Sequence, residues 1–273
     1  MVAIAAFAAG SCKIDVAKRE GGYRMKKIGI IGGLAWPSTA EYYRLICAGA
    51  NAHFRGLGHP MPLPTPPITI ESVNMAETRK LRGKPDGTGW DRFDTVFREA
   101  FRRLERAGCD FGIIASNTPH ARLHAIRQGL DLPILGIIEE TARETQRIGV
   151  SRALVLGTSV TMRGDLYPQR LRKLGIEPNP RLPEAQIEGM QRLIDEEFYE
   201  GATKAGTTRL LDICRAHVPD PAETAILLAC TELPLAFPDH CDDASFEADG
   251  FRFVNTSVAH AKAALAEALG VAG

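Results

Sequence analysis

Two segments of this sequence each place a small proton-bearing side chain directly after an apolar run. One is Ala115-Ser116-Asn117-Thr118-Pro119-His120, the other Ala229-Cys230-Thr231-Glu232-Leu233-Pro234. A thiol or hydroxyl so placed, followed by amide and hydroxyl donors, can exchange a proton with a bound carbon acid. The unpaired backbone N–H groups at the start of the next helix or turn are suited to receive a carboxylate. The same N–H groups and dipole lower a nearby thiol from about 8.5 toward neutrality, so Cys230 is expected to be tuned as an acid or base. A serine hydroxyl is far less acidic, and Ser116 becomes a base only if another residue activates it.

The elements that would hold these groups emerge from the hydrophobic pattern. Short β-branched runs alternate with longer stretches of helical period, the pattern of βα units around parallel sheets. Strands are predicted at Ile28–Ile31, Ile68–Val73, Phe111–Ala115, Ile134–Ile138, Ala153–Leu156, Ala225–Ala229 and Phe251–Val254. Helices are predicted over 38–53, 90–107, 119–128, 139–148, 164–174, 184–200, 203–217 and 256–269. The junction Ile28 to Leu34 with Ser38-Thr39 is matched by Ala153 to Thr158 with Thr161-Met162, and Ile113 to Thr118 by Leu227 to Glu232. This weak internal duplication puts Ser116 and Cys230 at equivalent places in two halves. Because parallel sheets bind ligands outside the carboxyl ends of their strands, the fold class is α/β, with two pseudo-symmetric lobes and a cleft between them. The lobes are drawn as 25–132 plus 239–273, and 133–238.

Composition narrows the function. The chain has 273 residues, 45% of them apolar, with 33 basic and 33 acidic side chains. A formal charge of zero gives no pull toward nucleic acid or an anionic membrane, and runs such as Arg170 to Lys173 read as solvated helix faces. No apolar run approaches the ~20 residues of a membrane span. The six cysteines (Cys12, Cys47, Cys109, Cys214, Cys230, Cys241) form neither a CxxC pair nor a zinc-spaced cluster, which fits a reducing cytoplasm and indicates no metal. Residues 1–24, whose apolar start lacks a basic flank, are read as an upstream extension or misassigned start rather than a signal. The proline-rich stretch Pro60 to Pro67 reads as an extended connector.

Taken together, Gly32-Gly33-Leu34-Ala35-Trp36-Pro37-Ser38-Thr39, Ser116-Asn117-Thr118-Pro119-His120 and Ala229-Cys230-Thr231-Glu232 resemble, in order and spacing, the signature segments of the aspartate/glutamate racemase family. Tyr42-Tyr43-Arg44-Leu45 and Leu156-Gly157-Thr158 with Thr161-Met162 are similar to its broad-specificity or L-specific bacterial branch. The likeness runs from about Met25 to Leu269. It implies catalysis without pyridoxal phosphate or metal, a homodimer, and two cysteines facing opposite sides of the substrate's Cα. Cys230 carries over one of them, and Ser116 stands where the other belongs. Members of the L-specific branch carry a threonine there, so the resemblance implies a racemase biased toward the L enantiomer. It also implies that Arg79 binds a substrate carboxylate, and that Asn117, Thr118 and Thr231 hold the α-carboxylate, a role compatible with helix capping. Glu232 would pair with the substrate ammonium or cap a helix, His120 would orient a proton carrier or simply pack, and Trp36 and Pro37 would shape the pocket or pack. The family's second cation, a lysine due near Glu188-Gly189, is absent. Two rival readings remain open at this point: an arylmalonate-type decarboxylase, which needs one thiol and an oxyanion pocket, and a non-catalytic ligand-binding homologue.

Overall fold

Ile28–Gly32 forms β1, and all five residues are buried, as in a strand of a parallel sheet covered on both faces. The computed structural model describes residues 25–84, 86–199 and 201–271, so the extension expected over 1–24 lies outside the described residues. From β1 the chain passes through α1 (Trp36–Gly56), β2 (Ile68–Ser72), α2 (Met75–Lys80), α3 (Asp91–Arg106), β3 (Phe111–Ile114), α4 (Leu123–Ile126) and α5 (Ile137–Arg147). It continues through β4 (Arg152–Gly157), α6 (Ser159–Arg163), α7 (Leu166–Lys173), β5 (Glu177–Pro178), α8 (Glu184–Leu193) and α9 (Lys204–His217). The last elements are β6 (Thr224–Ala229), β7 (Ser245–Ala248), β8 (Phe251–Asn255) and α10 (Thr256–Leu269). Single 3₁₀ turns occupy Thr118–Arg122 and Leu233–Ala236, and Ile194–Phe198 extends α8 as a wider π-helical turn.

Two sheets result, one in the order β2-β1-β3 and one in the order β5-β4-β6-β8-β7. All pairings are parallel except β7 with β8. The order β2-β1-β3 recurs as β5-β4-β6, so β3 and β6 are equivalent strands, and Ser116 and Cys230 lie just past equivalent ends. Each sheet is packed on both faces. On the first, Phe93, Phe97, Phe101 and Leu104 of α3 cover one side, and Tyr42 and Ile46 of α1 with Ala261, Ala264 and Ala268 of α10 cover the other. On the second, α5 and α7 contribute Ile138, Ala142 and Leu171 to one side, while Ile187, Leu210 and Phe253 lie in the opposite cluster.

Two expectations are corrected. The strand predicted at Ile134–Ile138 is reduced to one bridge between Ile134 and Gly112, because the chain turns at Gly136 and α5 begins at Ile137. The apolar run is then explained by helical period, with Ile137, Ile138, Thr141, Ala142 and Thr145 buried. The segment 239–273, drawn with the first lobe, is divided: β8 pairs with β6 of the second sheet, and only α10 returns, packing on both α1 and α5. Among the described residues no helix is long and apolar enough to cross a membrane.

Candidate active site

The carboxyl ends of the strands converge on a cavity that both sheets line. Close backbone approach shapes it. Gly33 turns the chain out of β1 at φ 80°, where an added Cβ would lie 2.1 Å from the Val73 carbonyl oxygen; this brings Leu34 and Ala35 to the cavity wall. Gly157 ends β4 in register with Ala229, and a Cβ there would lie 2.5 Å from the Ala229 oxygen. Only glycine lets β4 and β6 close directly behind Cys230.

Seven of the residues singled out from the sequence line this one cavity: Ser116, Asn117 and Thr118 from the end of β3, Cys230, Thr231 and Glu232 from the end of β6, and Arg79 from α2. Arg82, just past α2, and Thr158, just past β4, join them. Neither was expected. Arg79 and Arg82 sit three residues apart at a helix exit, a spacing that does not tell which guanidinium turns inward. Thr158 reads in sequence as an ordinary helix cap, a role it also has, accepting from Thr161 N–H at 3.4 Å.

Cys230 is buried, and its Sγ donates to Glu232 Oε2 at 2.9 Å. Thr231 Oγ1 donates to the same oxygen at 2.8 Å. Burial, and then the adjoining Glu232 carboxylate, push the thiol well above the ordinary cysteine range. The expected lowering by a helix N-terminus is therefore overturned. The helical segment after Cys230 is a four-residue 3₁₀ turn starting at Leu233, too short to sum a useful dipole, whereas a full negative charge is in contact. Cys230 rests as a thiol hydrogen-bonded to Glu232.

Ser116 is different. Its hydroxyl has no hydrogen-bond partner among the described residues, and none of their histidines or lysines activates it. His120 instead bonds the Ser116 carbonyl oxygen through Nδ1 at 2.9 Å, while Ile137 N–H donates to Nε2 at 3.2 Å. These partners fix a neutral ring with its proton on Nδ1, and burial lowers its pKa to about 4. His120 thus holds the Ser116 backbone and does not reach the cavity as a proton carrier.

The carboxylate-binding candidates are partly committed elsewhere. Asn117 accepts from Tyr167 Oη at 2.6 Å and donates to Thr256 Oγ1 at 3.1 Å, leaving one side-chain N–H and its backbone. Thr118 Oγ1 lies 3.1 Å from Thr158 Oγ1, tying the ends of β3 and β4 together. The Thr231 hydroxyl proton is spent on Glu232. Arg79 donates from Nη2 to Asp195 Oδ1 at 2.9 Å, an ion pair joining α2 to the π turn after α8. Arg82 has no carboxylate partner among the described residues, and its Nε is buried without a hydrogen bond. Near the place where the family's lysine would stand, Glu188 pairs with Arg163 instead. Trp36 is 75% exposed and lines a separate shallow depression with Tyr43 and Ile70, so it does not cover the cavity. Among the described residues no cluster of side chains could hold a metal ion.

Fold and site together define a two-sheet α/β protein with a thiol–carboxylate pair and a hydroxyl in a shared interdomain-type cleft. A sequence profile described as Asp/Glu/Hydantoin racemase matches residues 31–264. The chain belongs to the Asp/Glu/hydantoin racemase family. The broad-specificity amino-acid racemase RacX of Bacillus subtilis (strain 168) is 37% identical over 75 residues, a match spanning 28% of this chain and 33% of that protein. Among solved structures, an aspartate racemase homologue from Pyrococcus horikoshii OT3 superposes with a TM-score of 0.68 at 27% identity, covering 89% of this chain and 99% of the other. A Yersinia pestis protein provisionally assigned as an Asp/Glu racemase gives 0.72 at 28% identity, covering 90% and 100%.

Proposed function

We propose that this protein is a cofactor-independent amino-acid racemase in which Cys230 exchanges the Cα proton on one face of the substrate and Ser116 serves the other. The observation that carries the reading is the Cys230–Glu232 hydrogen bond of 2.9 Å at a cavity that also holds a Ser116 hydroxyl with no activating partner. For Cys230 to act as base, its proton passes to Glu232 and the thiolate takes the Cα proton. The Ser116 hydroxyl, directly or through an ordered water, hands a proton to the opposite face and recovers one from solvent. The remaining N–H groups of Asn117, Thr118 and Thr231 receive the α-carboxylate. Arg79 and Arg82 supply the positive side of the cavity and Glu232 the negative side.

The two directions are chemically unequal. With Cys230 as base, Ser116 need only donate; in reverse, Ser116 would have to be the base, and nothing assists it. The equilibrium constant of racemisation is one, so kcat/KM is the same from either enantiomer, and the inequality falls on kcat and KM together. The resemblance to the L-specific branch supports the L form as the faster one. Assays of both enantiomers test this: the wild type should show kcat values differing by about tenfold or more, matched in KM, and Ser116→Cys should bring them within about threefold. Equal wild-type kcat values would refute it. A homodimer in the cytoplasm is our reading of the assembly, supported by the family likeness and by the free cysteines; light scattering on the purified protein checks the stoichiometry.

A further inference from the structure

Asn117 follows Ser116 at the end of β3 and lines the cavity, yet its side chain is held by elements that come after β4 in the chain. Tyr167 of α7 donates from Oη to Asn117 Oδ1 at 2.6 Å. Asn117 Nδ2 donates at 3.1 Å to Oγ1 of Thr256, the first residue of α10. Thr256 Oγ1 donates in turn to the carbonyl oxygen of Leu228 in β6 at 2.9 Å. All three side chains are buried. The bonds thus run from the neighbour of Ser116 to the strand that carries Cys230 at its end.

Counting protons fixes the sense of every bond. A carbonyl oxygen only accepts, so the Thr256 proton is committed to Leu228, and Thr256 can offer Asn117 nothing but a lone pair. That lone pair attracts the amide nitrogen and repels the amide oxygen. The Tyr167 hydroxyl, which can donate or accept, is then left to spend its proton on Oδ1. Thr141 Oγ1, 3.5 Å from Tyr167 Oη, gives its own proton to the Ile137 carbonyl oxygen at 2.7 Å. Burial raises the Tyr167 phenol above its ordinary value, so the hydroxyl stays protonated. With the amide set this way, Asn117 has its second Nδ2 hydrogen left for a ligand; a flipped amide would put an oxygen lone pair in the same place. A carboxylate is attracted by the first and repelled by the second. Negative charge on an α-carboxylate grows as the Cα proton leaves, so the donor matters most at the transition state. We propose that Thr256 and Tyr167 are positioning residues which, acting through Asn117, hold its amide as a hydrogen-bond donor for the α-carboxylate of the substrate. The proposal rests on the racemase reading and adds to it two residues, neither of them lining the cavity, that set the polarity of the carboxylate site.

The test pairs two NMR readouts: solvent-deuterium incorporation at Cα over a panel of L-amino acids, and solvent exchange of the Asn117 side-chain amide in the free protein, assigned by its loss in Asn117→Ser. Thr256→Val keeps the shape and removes the acceptor, so the amide can turn over, and kcat/KM should fall about 30-fold through both kcat and KM. Tyr167→Phe leaves Thr256 to set the sense and should cost only about fivefold. Thr256→Ser keeps the hydroxyl and should stay within about threefold of the wild type. Because both residues act on one amide, the double variant Tyr167→Phe/Thr256→Val should lose no more than about threefold beyond Thr256→Val alone. Exchange of the amide should quicken at least about tenfold in Thr256→Val and change less than about threefold in Thr256→Ser. A lowered melting midpoint with unchanged kcat/KM in Thr256→Val, as expected of a residue that only packs, would overturn the assignment. So would losses that multiply in the double variant, or a Tyr167→Phe enzyme slower than Thr256→Val. If Thr256→Val does not fold, Tyr167→Phe decides: a raised KM with faster amide exchange supports the hold on Asn117, and a change in stability alone overturns it. If the wild type exchanges no amino acid, the racemase reading falls, and the amide decides separately: quickened exchange in Thr256→Val sustains the hold, and unchanged exchange overturns it.

Discussion

Replacing Glu232 by glutamine keeps the shape of the side chain and removes both its charge and its ability to take a proton. In the wild type, Cys230 Sγ and Thr231 Oγ1 both donate to Glu232 Oε2, at 2.9 and 2.8 Å. The carboxylate is therefore placed to take the thiol proton, and under the proposed mechanism the thiolate needed for Cα abstraction forms by an internal transfer rather than by loss of a proton to solvent, which makes the rate independent of pH across the neutral range. With glutamine, the thiolate can form only by losing its proton to solvent. A hydrogen bond to a charged group is worth roughly 1.5–3 kcal/mol, and at 1.36 kcal/mol per factor of ten the expected loss in kcat/KM at pH 7 is about 10- to 150-fold. The shape of the profile is more telling than the size of the loss. The wild type should be level around neutrality, whereas Glu232→Gln should gain about tenfold per pH unit as the thiol titrates. Because kcat/KM is equal from both enantiomers, either one serves as substrate, and Cα deuteration reads the step directly. A Glu232→Gln enzyme within threefold of the wild type at pH 7 with an unchanged profile would refute proton transfer from Cys230 to Glu232. A rise in KM alone would assign Glu232 to the substrate ammonium instead.

Other consequences are equally direct. Cys230→Ala should reduce Cα exchange to background in every substrate that the wild type exchanges, with the thermal midpoint lowered only slightly; surviving exchange would remove the thiol from the chemistry. His120 and His260 are buried and neutral, with pKa values lowered to about 4 and about 3 by burial, and for His260 by His120 as well. Both lie below the unfolded value of about 6.5, so the unfolded chain binds protons first: stability should be full above pH 6.5 and decline as pH falls toward 4 and then 3, by a few kcal/mol in all, as read from urea melts across that window. Gly157→Ala forces a methyl to within 2.5 Å of the Ala229 oxygen and should cost roughly 1–3 kcal/mol of stability with a larger relative loss of activity, since the strand end that moves carries Cys230. Arg79→Gln removes an ion pair whose side chains are 40% and 37% exposed, so the midpoint in urea should drop by less than about 1 kcal/mol equivalent.

Much of the architecture was legible in the residues. The βα alternation, the strands at Ile28, Phe111 and Ala225, and the equivalence of the Ser116 and Cys230 junctions come from periodicity and from repeated strand-to-turn segments, and the order β2-β1-β3 repeated as β5-β4-β6 has the same form. That the seven candidate residues would meet at one cavity was also legible, because strand ends of parallel sheets bring sequence-distant segments to one edge. Residue order alone thus settled which side chains are available and which edge they share. Their chemical state was settled by folding. The direction of the Cys230 shift turned on a carboxylate oxygen 2.9 Å away and on a turn too short to oppose it. Which guanidinium stays uncommitted turned on whether Asp195 faced Arg79 or Arg82. The pairing of β8 with the second sheet and the start of α5 at Ile137 were fixed by long-range partners. Residue type and spacing set what a group can do, but its protonation and its free valence depend on neighbours that are often distant in the chain, whose separations and orientations no local pattern encodes.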